Sequence, residues 1–333
     1  MKTILVPTDF SQDAHDTLLY ATEIASVTGS KIVLFHAFYQ PLSLSYSQDF
    51  TTAVNELERE RTEELEAYAE RFKAYAFDNF SVRFQSTLDT GVQRETPVTK
   101  SGFHHVEVDN AAAKRAGVDI RCVCKFGFAF DEILKAVDVH RADLVVMGMR
   151  GEGALRRALL GRTTINVMRD AKVPVLAVPL GCRFMGFEAV VFAADLFKLP
   201  PNTVFEFLRG FVKQFASRLQ ILHLYHENSL QQEKEKALAS LDILDRQLFD
   251  INYKVVFQKE KDFAEGVTNF VQEQQASLLV LVPQKHPFLE ELLSRSLTQK
   301  IMAKAFLPLL ALPAVGVEST SAAEVKVVEE HQG

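Results

Sequence analysis

The sequence of 333 residues has no tryptophan, only three cysteines, and no apolar run that approaches the roughly 18 residues of a membrane span. Three cysteines are too few for a disulfide framework and fit a reducing compartment. The start of the chain has a single Lys and a short apolar run before Pro7, which does not match a secretory signal. We therefore expect a soluble, cytoplasmic protein.

The chain also lacks an excess of positive charge. Its 37 Lys and Arg residues stand against 43 Asp and Glu, a formal charge of −6. Proteins that coat nucleic acid or an anionic membrane need a basic surface, so neither partner is expected. Apolar residues make up 47% of the chain, with 15 Gly and 11 Pro, which is typical of a globular protein. A chain of this length predicts two domains.

An internal repeat organises the chain. The stretch from Asp143 to Pro179 aligns without a gap with that from Ser277 to Pro313, at an offset of 134 residues. Near the chain start, ILVPTDF matches VVFAADL and IVLFHAF matches LQILHLY, at offsets of 186 and 187. The smaller offset further along means that the first copy carries about 53 extra residues in its middle.

Each copy alternates short apolar strands with amphipathic helices, a pattern typical of a parallel sheet buried on both faces. The sequence predicts an α/β fold of two tandem, doubly wound (Rossmann-like) five-stranded parallel-sheet domains with α/β/α layers. Such sheets bind ligands beyond the carboxyl ends of their strands. In the first copy, strands are predicted over 4–6, 31–37, 119–124, 144–147 and 175–178, and helices over 13–27, 51–76, 130–140 and 162–170.

The repeat predicts domains over residues 1–182 and 186–314. The first domain carries an irregular insertion near residues 84–116, where little periodicity is present. Residues 315–333 are small and acidic, and we expect them to form a disordered tail.

Three glycines, Gly148, Gly151 and Gly161, follow the fourth predicted strand. The first two allow a tight loop whose N–H groups approach an anion, and Gly161 precedes a helix whose N-terminus favours phosphate. Glycines that only punctuate turns explain the same spacing equally well. No Gly-Lys-Ser/Thr follows, so P-loop hydrolysis is not predicted.

Three motifs together resemble the universal stress protein family: VPTDFS from Val6, LFHA from Leu34 and MGMRGEGALRRALLGRTT from Met147. The resemblance covers most of residues 1–180 apart from the insertion, and more weakly 186–314. It implies a five-stranded parallel α/β fold, often in tandem, whose domains pair through the last strand. Members with Gly-x2-Gly-x9-Gly-Ser/Thr bind ATP, and others that lack this motif do not.

The resemblance also implies a nucleotide site in the first domain. Asp9, beside Pro7 and Thr8, would hold the ribose or adenine, since a carboxylate accepts hydrogen bonds from hydroxyl and amine groups. Ala37 would offer backbone groups to adenine, and Met147 would pack near the nucleoside. The phosphates would be bordered by Gly148, Arg150, Gly151, Gly161, Arg162, Thr163 and Thr164.

Arg162 departs from the family pattern, which has Ser or Thr at this position. An Arg could bond a phosphate strongly, fill the site, or point to solvent. Thr163 and Thr164 keep hydroxyl groups nearby. The expected cofactor is ATP or a related adenine nucleotide, with the presence of Mg left open.

The second copy has lost the glycines. Val282, Lys285 and Arg295 stand in their places, while Pro283 and Pro287 stiffen the loop. Asp195 persists and is interpreted as a cap for the next segment. We predict one nucleotide site per chain, with the second domain as a pseudo-twofold partner of the first; pairing of two chains into a homodimer is left open.

Other candidate sites are interpreted structurally. Adjacent residues on a strand point to opposite faces, so a surface loop is favoured over a metal site for His104, His105, Glu107 and Asp109. Cys122 and Cys124 are interpreted as buried strand thiols, because no further ligand suggests zinc. A core or rim position is favoured over catalysis for His36 and His223. The sequence predicts no catalytic residue and no metal.

The sequence leaves three hypotheses for the function. The first is a non-enzymatic, ATP-binding protein of the stress response, whose protein partner the sequence does not identify. The second is a nucleotide-free interaction or dimerisation module, which Arg162 and the degenerate second copy favour. The third is a slow ATPase or self-phosphorylating protein, with Thr163 or Thr164 as the phosphate acceptor.

Overall fold

The computed structural model describes seven stretches of the chain. They comprise residues 1–41, 49–80, 82–84, 117–149, 161–225, 230–283 and 307–313. The predicted insertion beyond residue 84 up to residue 116, and the predicted tail at 315–333, lie outside these stretches. Phe84 and Val118, on either side of the insertion, form an isolated parallel bridge. The two ends of the insertion therefore meet beside the sheet.

Strands and helices alternate along the described chain. The first half contains β1 (Thr3–Pro7), α1 (Gln12–Thr28), β2 (Lys31–Phe38), α2 (Phe50–Phe80), β3 (Ile120–Phe126), α3 (Ala129–His140), β4 (Leu144–Gly148), α4 (Arg162–Asp170) and β5 (Val175–Val178). The second half contains β6 (Ala189–Ala193), α5 (Asn202–Phe215), β7 (Arg218–Tyr225), α6 (Leu230–Gln247), β8 (Tyr253–Lys259), α7 (Phe263–Glu273), β9 (Leu278–Leu281) and β10 (Leu309–Ala311).

All described strands belong to one sheet, in the order β3-β2-β1-β4-β5-β10-β9-β6-β7-β8. Every neighbouring pair is parallel except β5 and β10, which are antiparallel. Within each half the first strand is central and the chain winds outward in both directions. This is the doubly wound α/β arrangement that the sequence predicts.

The contact between β5 and β10 is symmetric with respect to the repeat. Leu310 lies opposite Leu176, the residue that corresponds to Leu310 in the first copy of the repeat, 134 residues earlier. Ala311 pairs with Val175, and Leu309 pairs with Ala177. A local twofold axis therefore passes between Leu176 and Leu310, both of which are buried.

Side chains alternate across the sheet and fill two cores. Ile4 and Val6 of β1 belong to the core on one face, which also contains residues of α1, α2, α5 and α6. Leu5, between them, belongs to the core on the other face, which contains residues of α3, α4 and α7. The two helical layers enclose the sheet and produce the predicted α/β/α order.

The long helix α2 shows how charge and apolar spacing act together. Its buried residues are spaced by three or four positions and form a narrow stripe against the sheet: Leu65, Ala69, Phe72 and Ala76. Charged pairs cover the solvent side, such as Arg59 with Glu63 at 3.0 Å. The helix continues to Phe80, four residues beyond the predicted end, because that last ring contacts Tyr75 and lies 4.2 Å from the Arg183 guanidinium.

None of the helices in the described stretches combines the length and the apolar character that crossing a membrane requires.

The junction of β5 and β10 gives a stability prediction. Leu310 is buried and its strand pairs with both β5 and β9, so Leu310→Ala leaves a cavity at the centre of the sheet. We expect a loss of about 2–5 kcal/mol in the free energy of unfolding, measured with urea. Leu180→Ala, at an exposed Leu just beyond β5, removes the same atoms and should cost less than about 0.5 kcal/mol. Equal losses in the two variants would contradict a buried junction.

Candidate functional site

Most of the described candidate residues meet at one edge of the sheet. Parallel pairing of Leu5 with Val145 brings the carboxyl ends of β1 and β4 side by side, and Pro7 pairs with Phe35 of β2. Pro7, Thr8 and Asp9 therefore lie beside the last residues of β4, Met147 and Gly148. Ala37 lies two residues beyond Phe35 on the same edge. This edge lies where the chain changes direction across the sheet, the usual position of ligands in such folds.

The turn after β1 holds Asp9 in a fixed orientation. The Asp9 carboxylate accepts hydrogen bonds from Ser11 N (3.1 Å) and Ser11 Oγ (2.5 Å). Ser11 Oγ in turn caps α1 by accepting from Ala14 N at 3.2 Å. Thr8 N donates to Phe35 O at 2.8 Å, which ties the turn to β2. The carboxylate is thus positioned by the same bonds that start the first helix.

Phe10 takes an unusual backbone conformation in this turn. Its φ is +62°, in the left-handed region that costs a bulky side chain roughly 1–2 kcal/mol. The ring contacts His36 at 4.7 Å between ring centres and Tyr68 at 5.4 Å. The conformation therefore directs the ring across the end of β2 towards α2.

His36 has a structural contact that recurs in the second half. Its Nδ1 donates to Thr8 O at 2.8 Å. His223, the repeat equivalent, accepts from Leu196 N at 3.2 Å through Nδ1, which also lies 3.3 Å from Ala194 O, the equivalent of Thr8 O. Both histidines therefore join the end of the second strand to the turn after the first, at the core or rim position that the sequence predicts.

The connection from β4 to α4 is closed by two hydrogen bonds. Gly161 N donates to Met149 O at 2.7 Å, and Thr164 Oγ1 donates to Gly148 O at 3.0 Å. These bonds place the start of α4 directly against the end of β4. Two predicted site residues, Arg150 and Gly151, fall within 150–160, outside the described residues.

The N-terminus of α4 has no side-chain cap. Gly161 occupies the N-cap position with extended backbone (φ −63°, ψ 146°) and has no side chain that could accept from the first turn. The first N–H groups of a helix have no partner within it and carry a partial positive charge. Arg162 is exposed, Thr163 is half-buried and Thr164 is buried. The arrangement favours an anion at this edge.

The second half repeats the turn without the glycines. Asp195 accepts from Phe197 N at 2.9 Å, the same bond that Asp9 makes with Ser11 N. Val282, at the position of Gly148, is buried. Pro283 is the last described residue before a gap that contains Lys285, Pro287 and Arg295. The aspartate turn therefore belongs to both halves, whereas the glycines belong to one.

Two ring-bearing side chains close to the turn after β1, Tyr68 and His15, have shifted pKa values. Burial and the Asp9 carboxylate raise the pKa of Tyr68 to about 12. Burial lowers the pKa of His15, whose Nδ1 lies 3.4 Å from the Tyr68 hydroxyl. Tyr68 and His15 therefore form a small uncharged contact between α2 and α1 near pH 7.

The described residues hold no group of three His, Cys, Asp or Glu side chains arranged for a metal ion. His104, His105, Glu107 and Asp109 lie outside them. Cys122 and Cys124 are both on β3, where Cys122 Sγ lies 3.7 Å from Leu65 O of α2. Cys124 is buried in the first core, as the sequence predicts, whereas Cys122 is half-buried and packs against that core.

A cluster of aromatic side chains at the same edge was missed by sequence reasoning. Tyr39 stacks on Phe128 at 4.6 Å, and Phe126 contacts both Tyr39 and Phe38. The signal was present as FHAFY at the end of β2 and KFGFAF at the end of β3. Aromatic residues are common in strands, so the sequence pattern alone does not indicate a shared cluster, which depends on the adjacency of the two strand ends.

The family model described as "Universal stress protein family" matches residues 1–179. Universal stress protein MJ0577 of Methanocaldococcus jannaschii is 20% identical over 177 residues, which are 53% of this chain and 94% of that protein. A universal stress protein of Thermus aquaticus, named for its position in the QAH/OAS sulfhydrylase 3′ region, is 27% identical over 177 residues, 53% of this chain and 98% of that protein.

Some solved structures match nearly the whole chain. A universal stress protein from Archaeoglobus fulgidus superposes with a TM-score of 0.58 at 17% identity, covering 93% of this chain and 96% of that one. A structure described as a putative universal stress protein, from Pseudomonas aeruginosa, gives a TM-score of 0.53 at 13% identity, with 94% and 93% covered. At these identities the likeness establishes the shared α/β fold.

The buried cysteines give a prediction of reactivity. Burial raises the pKa of Cys122 to about 12 and that of Cys124 to about 11, and it also raises the pKa of Cys182. An ordinary thiol is roughly a quarter ionised at pH 8, whereas a thiol of pKa 11 is ionised in about one molecule in a thousand. Iodoacetamide at pH 8 should therefore alkylate Cys122 and Cys124 far more slowly in the folded chain than in urea, as mass spectrometry would measure. Similar rates in the two states would contradict the burial of β3 under α2.

Proposed function

The chain belongs to the universal stress protein family, and from that premise we propose that its first half binds ATP or a related adenine nucleotide in a regulatory, non-enzymatic role. The observation that carries the proposal is the start of α4. An uncapped helix N-terminus is held against the end of β4 by the bonds of Gly161 and Thr164, at the edge where Asp9 also lies.

The phosphates would lie at the N-terminus of α4. The N–H groups of Arg162 and Thr163 are in its first turn, where the helix dipole favours negative charge. The exposed Arg162 guanidinium adds a formal positive charge in place of the family's hydroxyl group. The Thr164 hydroxyl already donates to Gly148 O, so we assign it a positioning role.

The nucleoside would lie between β1, β2 and β4. Ala37 and Met147 pack in the same core, on the face of the sheet that α3 and α4 cover. Asp9 stands at the end of β1 between them, with its carboxylate oriented by Ser11. An apolar wall with a carboxylate at its rim suits a nucleoside, because the rings are apolar on their faces and the sugar and amine groups donate hydrogen bonds.

The second half would act as a built-in partner of the first. It pairs with the first half through β5 and β10 and lacks the glycines at the positions of Gly148, Gly151 and Gly161. We therefore propose one nucleotide per chain. The alternative is an interaction module that binds no ligand. The second half supports it, because the fold and the aspartate turn are present there although the glycines are not.

Paired aspartate substitutions test where the nucleotide binds. Asp9→Asn removes the carboxylate charge but keeps an oxygen that can accept from Ser11, so the fold should be unchanged. We expect titration calorimetry to show about one ATP per chain for the unmodified protein and binding about tenfold weaker for Asp9→Asn, or ~1.4 kcal/mol. The matched control is Asp195→Asn, which alters the equivalent turn and should leave the affinity unchanged. Equal weakening, or two ATP per chain, would refute a single site in the first half.

A substitution at Gly161 tests the phosphate position independently. The extended backbone there suits an N-cap residue, so Gly161→Asp should cap α4 and raise or preserve stability. The same carboxylate would occupy the first N–H groups and repel phosphate, and we expect ATP affinity at least about tenfold lower. Gly161→Ala adds no charge and no cap, and should bind ATP within about threefold of the unmodified protein. If Gly161→Asp bound ATP normally, the phosphates would lie elsewhere.

A further inference from the structure

A cavity lies at the same edge of the sheet, on the side that α2 covers. It has a volume of about 450 Å³ and is bounded by the ends of β1 and β2 and by α2. Small-molecule sites in proteins typically have volumes of roughly 300–1,000 Å³. Four ring-bearing residues, Phe10, His36, Phe38 and Tyr39, and two arginines, Arg61 and Arg71, contribute to its walls.

The cavity lies on the opposite face of the sheet from the proposed nucleotide site. Phe38 packs with the core under α1 and α2. Ala37 and Met147, which we assign to the nucleotide, pack with the core under α3 and α4. Asp9, at the end of β1, lies between the two sites and lines the cavity. A molecule in the cavity would therefore contact a set of side chains that is almost entirely different from the proposed nucleotide contacts.

The rings provide flat apolar surfaces at spacings suited to stacking. His36 and Phe38 are nearly parallel, with 10° between their planes and 6.2 Å between their centres. Phe10 tilts over His36 at 4.7 Å, and the Tyr39 side chain is 59% exposed. Exposed aromatic surface in a concave site is stabilised when another ring covers it.

The backbone at Phe10 adds an independent indication. Its left-handed conformation destabilises the fold, while its ring remains 38% exposed and contributes to the cavity wall. Strained residues that persist in a fold are concentrated at binding and catalytic sites. A glycine or asparagine would relieve the strain but would remove the ring from the cavity.

The arginines supply positive charge. The Arg61 guanidinium lies 5.8 Å from the centre of the Phe38 ring and pairs with Glu64 at 2.7 Å. Arg71 makes no ion pair with any residue of the described stretches. The Asp9 carboxylate is engaged by Ser11, as described above. Arg71 is therefore the cation that can pair with an incoming anionic group.

We propose that this cavity binds a planar aromatic anion about the size of a nucleoside monophosphate. The flat ring lies among Phe10, His36 and Phe38, and the acidic group faces Arg71, with Arg61 beside it. A nucleoside monophosphate and an aromatic carboxylic acid share this chemistry. The assignment does not depend on the proposed function, because no residue of the α4 turn takes part in it.

The test uses the full chain carrying Gly161→Asp, in which binding at the proposed nucleotide site is weakened, and the matched variants of α2 and β2 then assign any bound probe to the cavity. AMP and 2-naphthoate are the two probes, with ribose 5-phosphate as an anion that has no aromatic ring. We expect saturation-transfer NMR to show binding of at least one aromatic probe and none of ribose 5-phosphate. Binding of AMP alone would assign the site to nucleotides, and binding of 2-naphthoate would assign it to aromatic acids more broadly. Absence of binding by both aromatic probes would overturn the proposal.

Matched variants on α2 and β2 then locate the bound probe. Arg71→Gln and Phe38→Leu should each weaken it about tenfold in calorimetry. Arg59→Gln removes the same charge from an exposed position of α2 that does not line the cavity, and should have no effect. If Arg59→Gln and Arg71→Gln weakened probe binding equally, the proposal would be overturned. The same holds if Phe38→Leu, folded with an unchanged urea midpoint, bound the probe with unchanged affinity. Loss of ATP binding in Gly161→Asp with retained probe binding would separate the two sites.

Discussion

The antiparallel pairing of β5 with β10 is the contact on which the arrangement of the whole sheet depends. A five-stranded parallel sheet wound in both directions leaves its last strand at an edge, with one row of N–H and C=O groups unpaired. In this chain each half covers that edge for the other, and the pairing is centred on Leu176 and Leu310. The chain thus provides within itself the partner that a single such sheet would need from a second molecule.

The same pairing determines where ligands can bind. Because β5 and β10 run in opposite directions and each half is otherwise parallel, the carboxyl ends of the two sets of strands lie at opposite edges of the sheet. The turn at Asp195 is therefore remote from the turn at Asp9 and cannot complete its site. A site at either edge can therefore use residues of one half only, so the glycines that the second half lacks have no substitute in the first.

Much of the fold can be predicted from local sequence patterns, whereas the candidate site can be predicted only in part. The strand over 175–178 and the helix over 162–170 agree with the sequence prediction, because apolar runs and amphipathic spacing encode them directly. The convergence of Asp9 and Gly148 follows from parallel topology alone. The aromatic cavity could not be predicted, because it forms only when α2 packs across the end of β2 and brings Arg71 close to Phe38, residues far apart in sequence.

The repeat also separates what the fold requires from what a ligand requires. Asp9 and Asp195 accept the same backbone bond, and His36 and His223 approach equivalent carbonyl oxygens. An aspartate after the first strand therefore does not by itself indicate a nucleotide, since the turn needs it in both halves. What differs in the sequence is Gly161, which Arg295 replaces in the second copy. Gly161 leaves the start of α4 without a side-chain cap, and Thr164 holds that start against β4. The proposed nucleotide site of the first half depends on that junction, and Asp9 takes part in it only because it lies at the same edge of the sheet.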